Sequence, residues 1–249
     1  MTPARSIALL LVVLATVSGL GYLGSQTVLA RPGATVVIDR DQGWRDAPLP
    51  PSRRDVPAGQ PIGPQQVDPA WVARTAAATG IPAPAVRAYA DAQLGRPTGC
   101  EIGWTTLAGI GWVESHHGTI GGRALGQDGR SSSRILGPAL DGRGGFAAIP
   151  ATARTRSWHG DARWDHAVGP LQFIPSTWAT WGSDGDGDGT ADPNDIDDAA
   201  ATAVRYLCAD GHDLTTGSGW ADAVFSYNHA QSYVDAVRAA AIAYARRVD

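Results

Sequence analysis

The sequence predicts a mainly α domain with long loops, carried behind an apolar amino-terminal segment and a proline-rich stretch. Three observations predict it. Segments of helical composition, several opened by a capping residue or a proline, recur from residue 68 to the end of the chain. Strand signals are scarce over the same span. The stretch from 118 to about 165 is rich in Gly, Ser and Arg and periodic in nothing, which reads as long surface loops with at most short hairpins. A chain of 249 residues has room for one sizeable core plus a tail. Its net charge of -4 conceals an imbalance, because seven Asp fall between 184 and 198 while the remaining acids are outnumbered by the 20 basic residues, all arginine. Those arginines form no clustered stripe, so nucleic-acid binding is set aside.

Residues 6–30 are uncharged, and Ile7 to Leu14 is almost continuously aliphatic. Residues 1–30 are therefore an export signal, either cleaved after the small residues at Val28 and Ala30 or retained as a membrane anchor. Residues 31–67 are proline-rich and lack an apolar period, so they read as an extracytoplasmic linker that cannot offset its ordering entropy by burial. Both features place residues 68–249, the folded domain, in the cell envelope.

Within that domain Asp68-Pro69 opens a helix that runs through Trp71 to Ala78 and stops at Gly80. A second spans Pro84 to Leu94. A third spans Ile102 to Glu114, with Gly118 expected to close it in the left-handed conformation. Glu114 is the candidate catalytic acid, since Trp104, Leu107, Ile110, Trp112 and Val113 can supply the apolar setting that keeps a carboxyl protonated near neutral pH. The bland alternative, an exposed glutamate at a helix end, turns on which side of the helix it faces. His116 and His117 are adjacent rather than four apart, which argues against a zinc helix. Further helices are expected from Pro175 to Trp181, Ile196 to Cys208, Ala221 to Tyr227 and Tyr233 to Arg247. Cys100 and Cys208, the only cysteines, are most simply one disulfide in an exported protein.

Residues 184–195 carry Asp184, Asp186, Asp188, Asp192 and Asp195 at positions 1, 3, 5, 9 and 12 of a twelve-residue loop, with glycine at 6 and the Thr190 carbonyl at 7. That is the EF-hand-like calcium pattern, and it predicts a structural Ca2+ held by those six residues. Two features depart from it. Position 12 is Asp195 rather than the longer Glu, and Pro193 lies inside the loop.

Glu114-Ser115, the run Gly169-Pro170-Leu171-Gln172-Phe173-Ile174-Pro175-Ser176, and Tyr227-Asn228 followed by Tyr233 occur in that order. Together they resemble the lytic murein transglycosylases of the membrane-bound lytic transglycosylase B type, in the lysozyme superfamily. The resemblance implies a lysozyme-like fold and cleavage of the β-1,4 bond between N-acetylmuramic acid and N-acetylglucosamine in peptidoglycan. It further implies Glu114 as general acid and base, a 1,6-anhydromuramic acid product, and substrate contacts from Ser115, Gln172, Phe173, Tyr227, Asn228 and Tyr233. Two alternatives stay open. A hydrolytic muramidase would need a second carboxylate, for which Asp141, Asp161 and Asp165 are the candidates, and a non-catalytic envelope scaffold would only hold glycan strands. Trp158, Trp164, Trp178 and Trp220 could stack on sugar faces or fill the core. Arg154, Arg156 and His159 belong to no motif.

Overall fold

The computed structural model describes residues 66–143 and 147–248. The export signal and nearly all of the linker lie outside those residues. Val67 is already part of the folded body, buried, with its backbone N–H donating to Asp91 at 2.6 Å.

Eight helices follow. α1 (Pro69–Thr79) starts from an Asp68 side-chain cap and ends at Gly80, whose φ of 77° glycine alone adopts without strain. α2 spans Ala83–Leu94 and α3 spans Trp104–Ser115. α4 (Ala153–His159) is short, and α5 (Pro175–Trp181) begins on its proline. α6 (Ile196–Leu207) is capped by Asp195 and carries Asp197 and Asp198 in its first turn, where acids complement the helix dipole. α7 (Gly217–Tyr227) and α8 (Gln231–Val248) complete the domain. The one sheet among the described residues is an antiparallel pair, β1 (Leu136–Ala139) with β2 (His166–Val168), and an extra residue bulges β1 between its two paired positions.

The helices at 69, 83, 104, 175, 196, 217 and 231 match those expected from the sequence within a few residues. Two points differ. α4 lies in the span read as loops; its capping box is Thr152 with Thr155, each hydroxyl taking the other's backbone N–H, so the acidic or amide residue that usually signals such a start is absent. The cap of α3 is His116 rather than Gly118. His116 and His117 both take left-handed φ values, 51° and 59°, before Gly118 follows at 83°.

α3 is buried on nearly every side, unlike a surface helix with one apolar stripe. It packs chiefly along α8 and also against α2, while α2 packs along α6. Trp104, Leu107 and Ile110 of α3 join Val234, Val237 and Tyr244 of α8 in one core that also takes Trp178 and Trp220. Those two tryptophans are thereby removed from sugar stacking. The close approach of α3 and α8 depends on Gly109, where a Cβ would stand 2.6 Å from the Val237 carbonyl oxygen and 3.2 Å from its side chain. Cys100, ahead of α3, is bonded to Cys208 at the end of α6, with Cα atoms 5.7 Å apart. The bond closes a separation of 108 residues and ties the start of α3 to the end of α6.

Gly109→Ala tests the α3–α8 contact. Helix propensity alone would stabilise the change by about 1 kcal/mol, whereas forcing a methyl against backbone costs about 1–3 kcal/mol. A lower melting temperature is expected, and an unchanged or higher one would mean that the two helices separate at little cost.

Candidate active site

Glu114 occupies the last turn of α3, the most enclosed helix of the fold. The residue is half-buried, so a path to it remains, while burial of its carboxyl group is the main influence on its ionisation. Tyr233, in the first turn of α8, donates its phenolic O–H to Oε1 at 2.7 Å. Burial raises the carboxyl from its ordinary value of 4.5 to about 7, and the Tyr233 bond, which favours the charged form, pulls the other way. Burial wins. No neighbouring carboxylate contributes to the shift.

The chain beyond α3 is locked rather than loose. Ser115 is fully buried; its hydroxyl donates to the Pro170 carbonyl at 2.5 Å and accepts from the Gly118 N–H at 2.7 Å. His117 sits between two tyrosines, with Nδ1 3.1 Å from the Tyr89 hydroxyl and Nε2 2.8 Å from the Tyr244 hydroxyl. Burial lowers its pKa to about 3, so the ring is neutral and structural. Tyr89 belongs to α2 and Tyr244 to α8, so this one ring joins three helices at the end that carries Glu114.

The Gly169–Phe173 segment meets α3 through the Ser115 bond. Gln172 adopts a left-handed φ of 52°, and its Nε2 donates to the Gly169 carbonyl at 2.8 Å. Its Oε1 lies where a side chain at Gly137 would need to be, 3.0 Å from that position, so glycine in β1 makes room for the amide. Phe173 is buried edge-on against Trp178 and Tyr227. Tyr227, at the end of α7, donates to the Leu171 carbonyl at 2.8 Å and stacks parallel to Tyr233 at 6.4 Å. Both phenols are held well above their ordinary range, first by burial and then by the Glu114 charge, so both stay protonated donors. Asn228 is buried beside them, and its Oδ1 has no hydrogen-bond partner among the described residues.

The expected substrate residues thus divide. Glu114, Tyr233 and Tyr227 form one cluster; Asn228 follows Tyr227 directly, and Gln172 follows Leu171, whose carbonyl Tyr227 holds. Ser115 and Phe173 instead serve inside the fold, one clamping two chain segments and the other filling the core. Sequence reading missed Gly109, Gly137, Tyr89 and Tyr244 as supports of the site. Only the closely spaced glycines of α3 gave a sign of it.

None of the three candidate second carboxylates is directed at Glu114 by any contact. Asp141 accepts from the Arg143 N–H. Asp161 accepts from two backbone N–H groups and lies 3.1 Å from His166 Nε2. Asp165 is buried between Thr155 and His159, at 2.6 and 3.1 Å.

In the acidic loop, Asp184, Asp186 and Asp188 are exposed and bring one oxygen each within 4.8 Å of the others, a donor set that suits a hard cation. The later positions are engaged elsewhere. Asp192 pairs with Arg130 at 2.5 Å, and Asp195 caps α6 by accepting from the Asp197 N–H. Burial and the charges of Asp197 and Asp198 raise Asp195 to about 7.

Against known proteins, a family model described as Transglycosylase SLT domain matches residues 149–236. No curated protein and no solved structure matches the chain. The matched segment includes Gln172, Phe173, the acidic loop, Tyr227, Asn228 and Tyr233, and it begins after Glu114. Besides the helix packing and the disulfide, two hydrogen bonds join the matched segment to the end of α3, Ser115 to Pro170 and Tyr233 to Glu114.

The raised Glu114 carboxyl has a consequence for stability. Its folded-state value of about 7 exceeds the ordinary 4.5, so the folded protein holds the proton more tightly than the unfolded chain does across that interval. The ionisation penalty for burying Glu114 is therefore absent below about pH 4.5 and grows until pH passes about 7. Glu114→Gln is expected to raise the melting temperature at pH 8 and to leave it near the wild-type value at pH 4; equal shifts at both would show an ordinary carboxyl.

Proposed function

We propose that the chain is a lytic transglycosylase of peptidoglycan, cutting the β-1,4 bond between N-acetylmuramic acid and N-acetylglucosamine with Glu114 as its only catalytic carboxyl group. The observation that carries this reading is a buried carboxyl with a pKa of about 7, held by one phenol and without an acidic neighbour. The family match over residues 149–236 supports the substrate class.

Raised to about 7, Glu114 is present in both its acid and its carboxylate form near neutral pH. Tyr233 occupies Oε1, which leaves Oε2 to deliver a proton to the glycosidic oxygen as the bond to the muramic anomeric carbon breaks. The carboxylate then takes the proton of the muramic 6-hydroxyl while that oxygen bonds to the same carbon. The product is a 1,6-anhydro sugar, and Glu114 ends protonated, as it began. Burial favours the neutral acid before and after, and the Tyr233 bond stabilises the carboxylate between the two steps. Intramolecular attack needs neither a nucleophilic carboxylate nor a water-activating one, in keeping with the bonding of Asp161 and Asp165 within their own segment. Tyr227, Gln172 and Asn228 supply a phenol and two amides for sugar hydroxyl and acetamido groups.

The disulfide favours an extracytoplasmic site of action. Among the described residues no helix is long and apolar enough to cross a membrane, so anchoring, where it occurs, falls to residues 1–30. A calcium ion would be held by Asp184, Asp186 and Asp188, with the Thr190 carbonyl as the next ligand, and would relieve the repulsion of the loop.

Two measurements follow from this reading. Peptidoglycan digested by the full chain should give fragments one water lighter than hydrolytic products in mass spectrometry, with the rate falling about 10²–10⁴-fold in Glu114→Gln. Ordinary reducing ends would make the enzyme a muramidase, and no cleavage would favour a glycan-binding scaffold. Calorimetric titration of the metal-free chain with calcium should show one site, weakened in Asp186→Asn and accompanied by a rise in melting temperature; no heat and no thermal shift would remove the ion.

A further inference from the structure

We propose that His166 is a positioning residue for the candidate site, a doubly protonated ring that links Asp161 to the backbone of β1 and thereby sets the place of Gln172. The proposal rests on the reading of Gln172 as a substrate contact and adds to it the group that orients that amide.

The two partners of the ring decide its protonation. His166 opens β2, and only 13 % of its side chain is exposed. Its Nδ1 lies 2.8 Å from the Gly137 carbonyl oxygen, and its Nε2 lies 3.1 Å from Asp161 Oδ2. A carbonyl oxygen only accepts, and an ionised carboxylate does the same. Asp161 is ionised, lowered to about 2 first by the Arg163 N–H and next by His166. Both ring nitrogens must therefore donate, which only the imidazolium can do. Turning the ring over would set carbon atoms against the two acceptors, so its orientation is fixed as well.

His159 provides the contrast. Its ring centroid is 5.2 Å from that of His166. Its Nδ1 receives the Asp161 backbone N–H at 3.1 Å and so carries no proton, while its Nε2 faces Asp165 Oδ1 at 3.1 Å. This ring is neutral. Two imidazoles can lie side by side here because only one of them is charged. Asp161, His159 and, behind His159, Asp165 are the titratable groups that contacts place around His166 among the described residues.

β1 carries the effect to Gln172. The strand pairing slips between Leu136 and Ala139, and Gly137 lies in that bulge beside Pro138, which has no N–H to offer. The His166 ring fastens the strand at this point. Gln172 Oε1 lies against the same glycine, 3.0 Å from where a Cβ would stand, and Gln172 Nε2 donates to the Gly169 and Ile135 carbonyls at 2.8 and 3.4 Å. The amide is thus held between β1 and the turn that follows β2. A singly protonated His166 would turn a lone pair toward one of its two acceptors and lose that bond. Loss of the Gly137 bond frees the β1 backbone to shift, and the amide shifts with it.

The test uses the full chain, isotope-labelled for NMR. At about pH 6 both ring nitrogens of His166 should show hydrogen-bonded, slowly exchanging N–H signals, whereas His159 should show one. Asp161→Asn, whose amide oxygen can still take the Arg163 and Trp164 N–H groups, should remove the Nε2 proton signal of His166. His166→Ala should move the Gln172 side-chain signals and raise KM for peptidoglycan strands about three- to tenfold, the size of one hydrogen bond to the substrate, with little change in kcat. His166→Arg keeps a positive charge and several N–H donors, and should bring both readouts back toward wild type. A single ring proton on His166 in the wild type would overturn the proposal. So would Gln172 signals that stay in place in a folded His166→Ala, or an equal rise of KM in the alanine and arginine variants. Moved Gln172 signals in a chain that cleaves no strand would instead overturn the reading of Glu114 and still support His166 as the group that orients the amide.

Discussion

The contact on which the site depends is the approach of α3 to α8 at Gly109, where the Val237 carbonyl occupies the space a side chain would take. Helices that close bury α3 almost completely and bring Tyr233 within 2.7 Å of Glu114. Any side chain at 109 would have to move α8 or bend α3, and the phenol would leave the carboxyl. The chemistry of one glutamate is therefore set five residues before it. Glycine in a helix interior costs about 1 kcal/mol against alanine, and here that cost is offset by packing between two core helices.

Two opposing effects fix the behaviour of Glu114. Burial alone would raise the carboxyl further, and the Tyr233 hydrogen bond alone would lower it. One phenol with no cation or second donor leaves burial ahead by a margin that puts the balance at about 7. An arginine in place of Tyr233 would tip the group to a permanent carboxylate, unable to start the reaction. Tyrosine suits both halves of it, since it donates to the carboxylate but carries no charge when the acid is neutral. The Tyr227 ring lies nearly parallel to that of Tyr233, with centroids 6.4 Å apart.

Helix positions were legible because the α-helical runs carry ordinary punctuation, such as Asp68-Pro69 and Gly80 around α1, or Asp195 before α6. α4 was not, because a threonine–threonine capping box and a seven-residue length leave no periodic signal. The disulfide followed from there being two cysteines in an exported chain. Glu114 could be singled out by its apolar neighbours and motif company, but its orientation depends on α8, more than a hundred residues away in sequence, and no local pattern encodes that. Ser115 and Phe173 show the opposite limit. A motif preserves residues that hold a site together as well as residues that touch a ligand, and burial separates the two.

The acidic loop shows how one substitution in a pattern redistributes its work. The last position of a calcium loop ordinarily reaches the ion with both carboxylate oxygens of a glutamate. Asp195 is one methylene shorter and turns instead to the start of α6, where it caps the Asp197 N–H and lies near Arg130. Arg130 also takes Asp192, and Arg87 takes Asp197 through two nitrogens at 2.7 and 3.3 Å. Arginine thus neutralises the second half of the loop, fastening it to the turn at Gly129, whose carbonyl accepts the Ile196 N–H. The first half receives no such partner: Asp184, Asp186 and Asp188 satisfy their oxygens with backbone N–H groups of their own turn and stay exposed. A cation bound there meets three carboxylates rather than five, so its affinity belongs at the weak end of such loops. Its effect would be confined to the segment that connects α5 to α6, leaving the α3–α8 contact and Glu114 to stand without it.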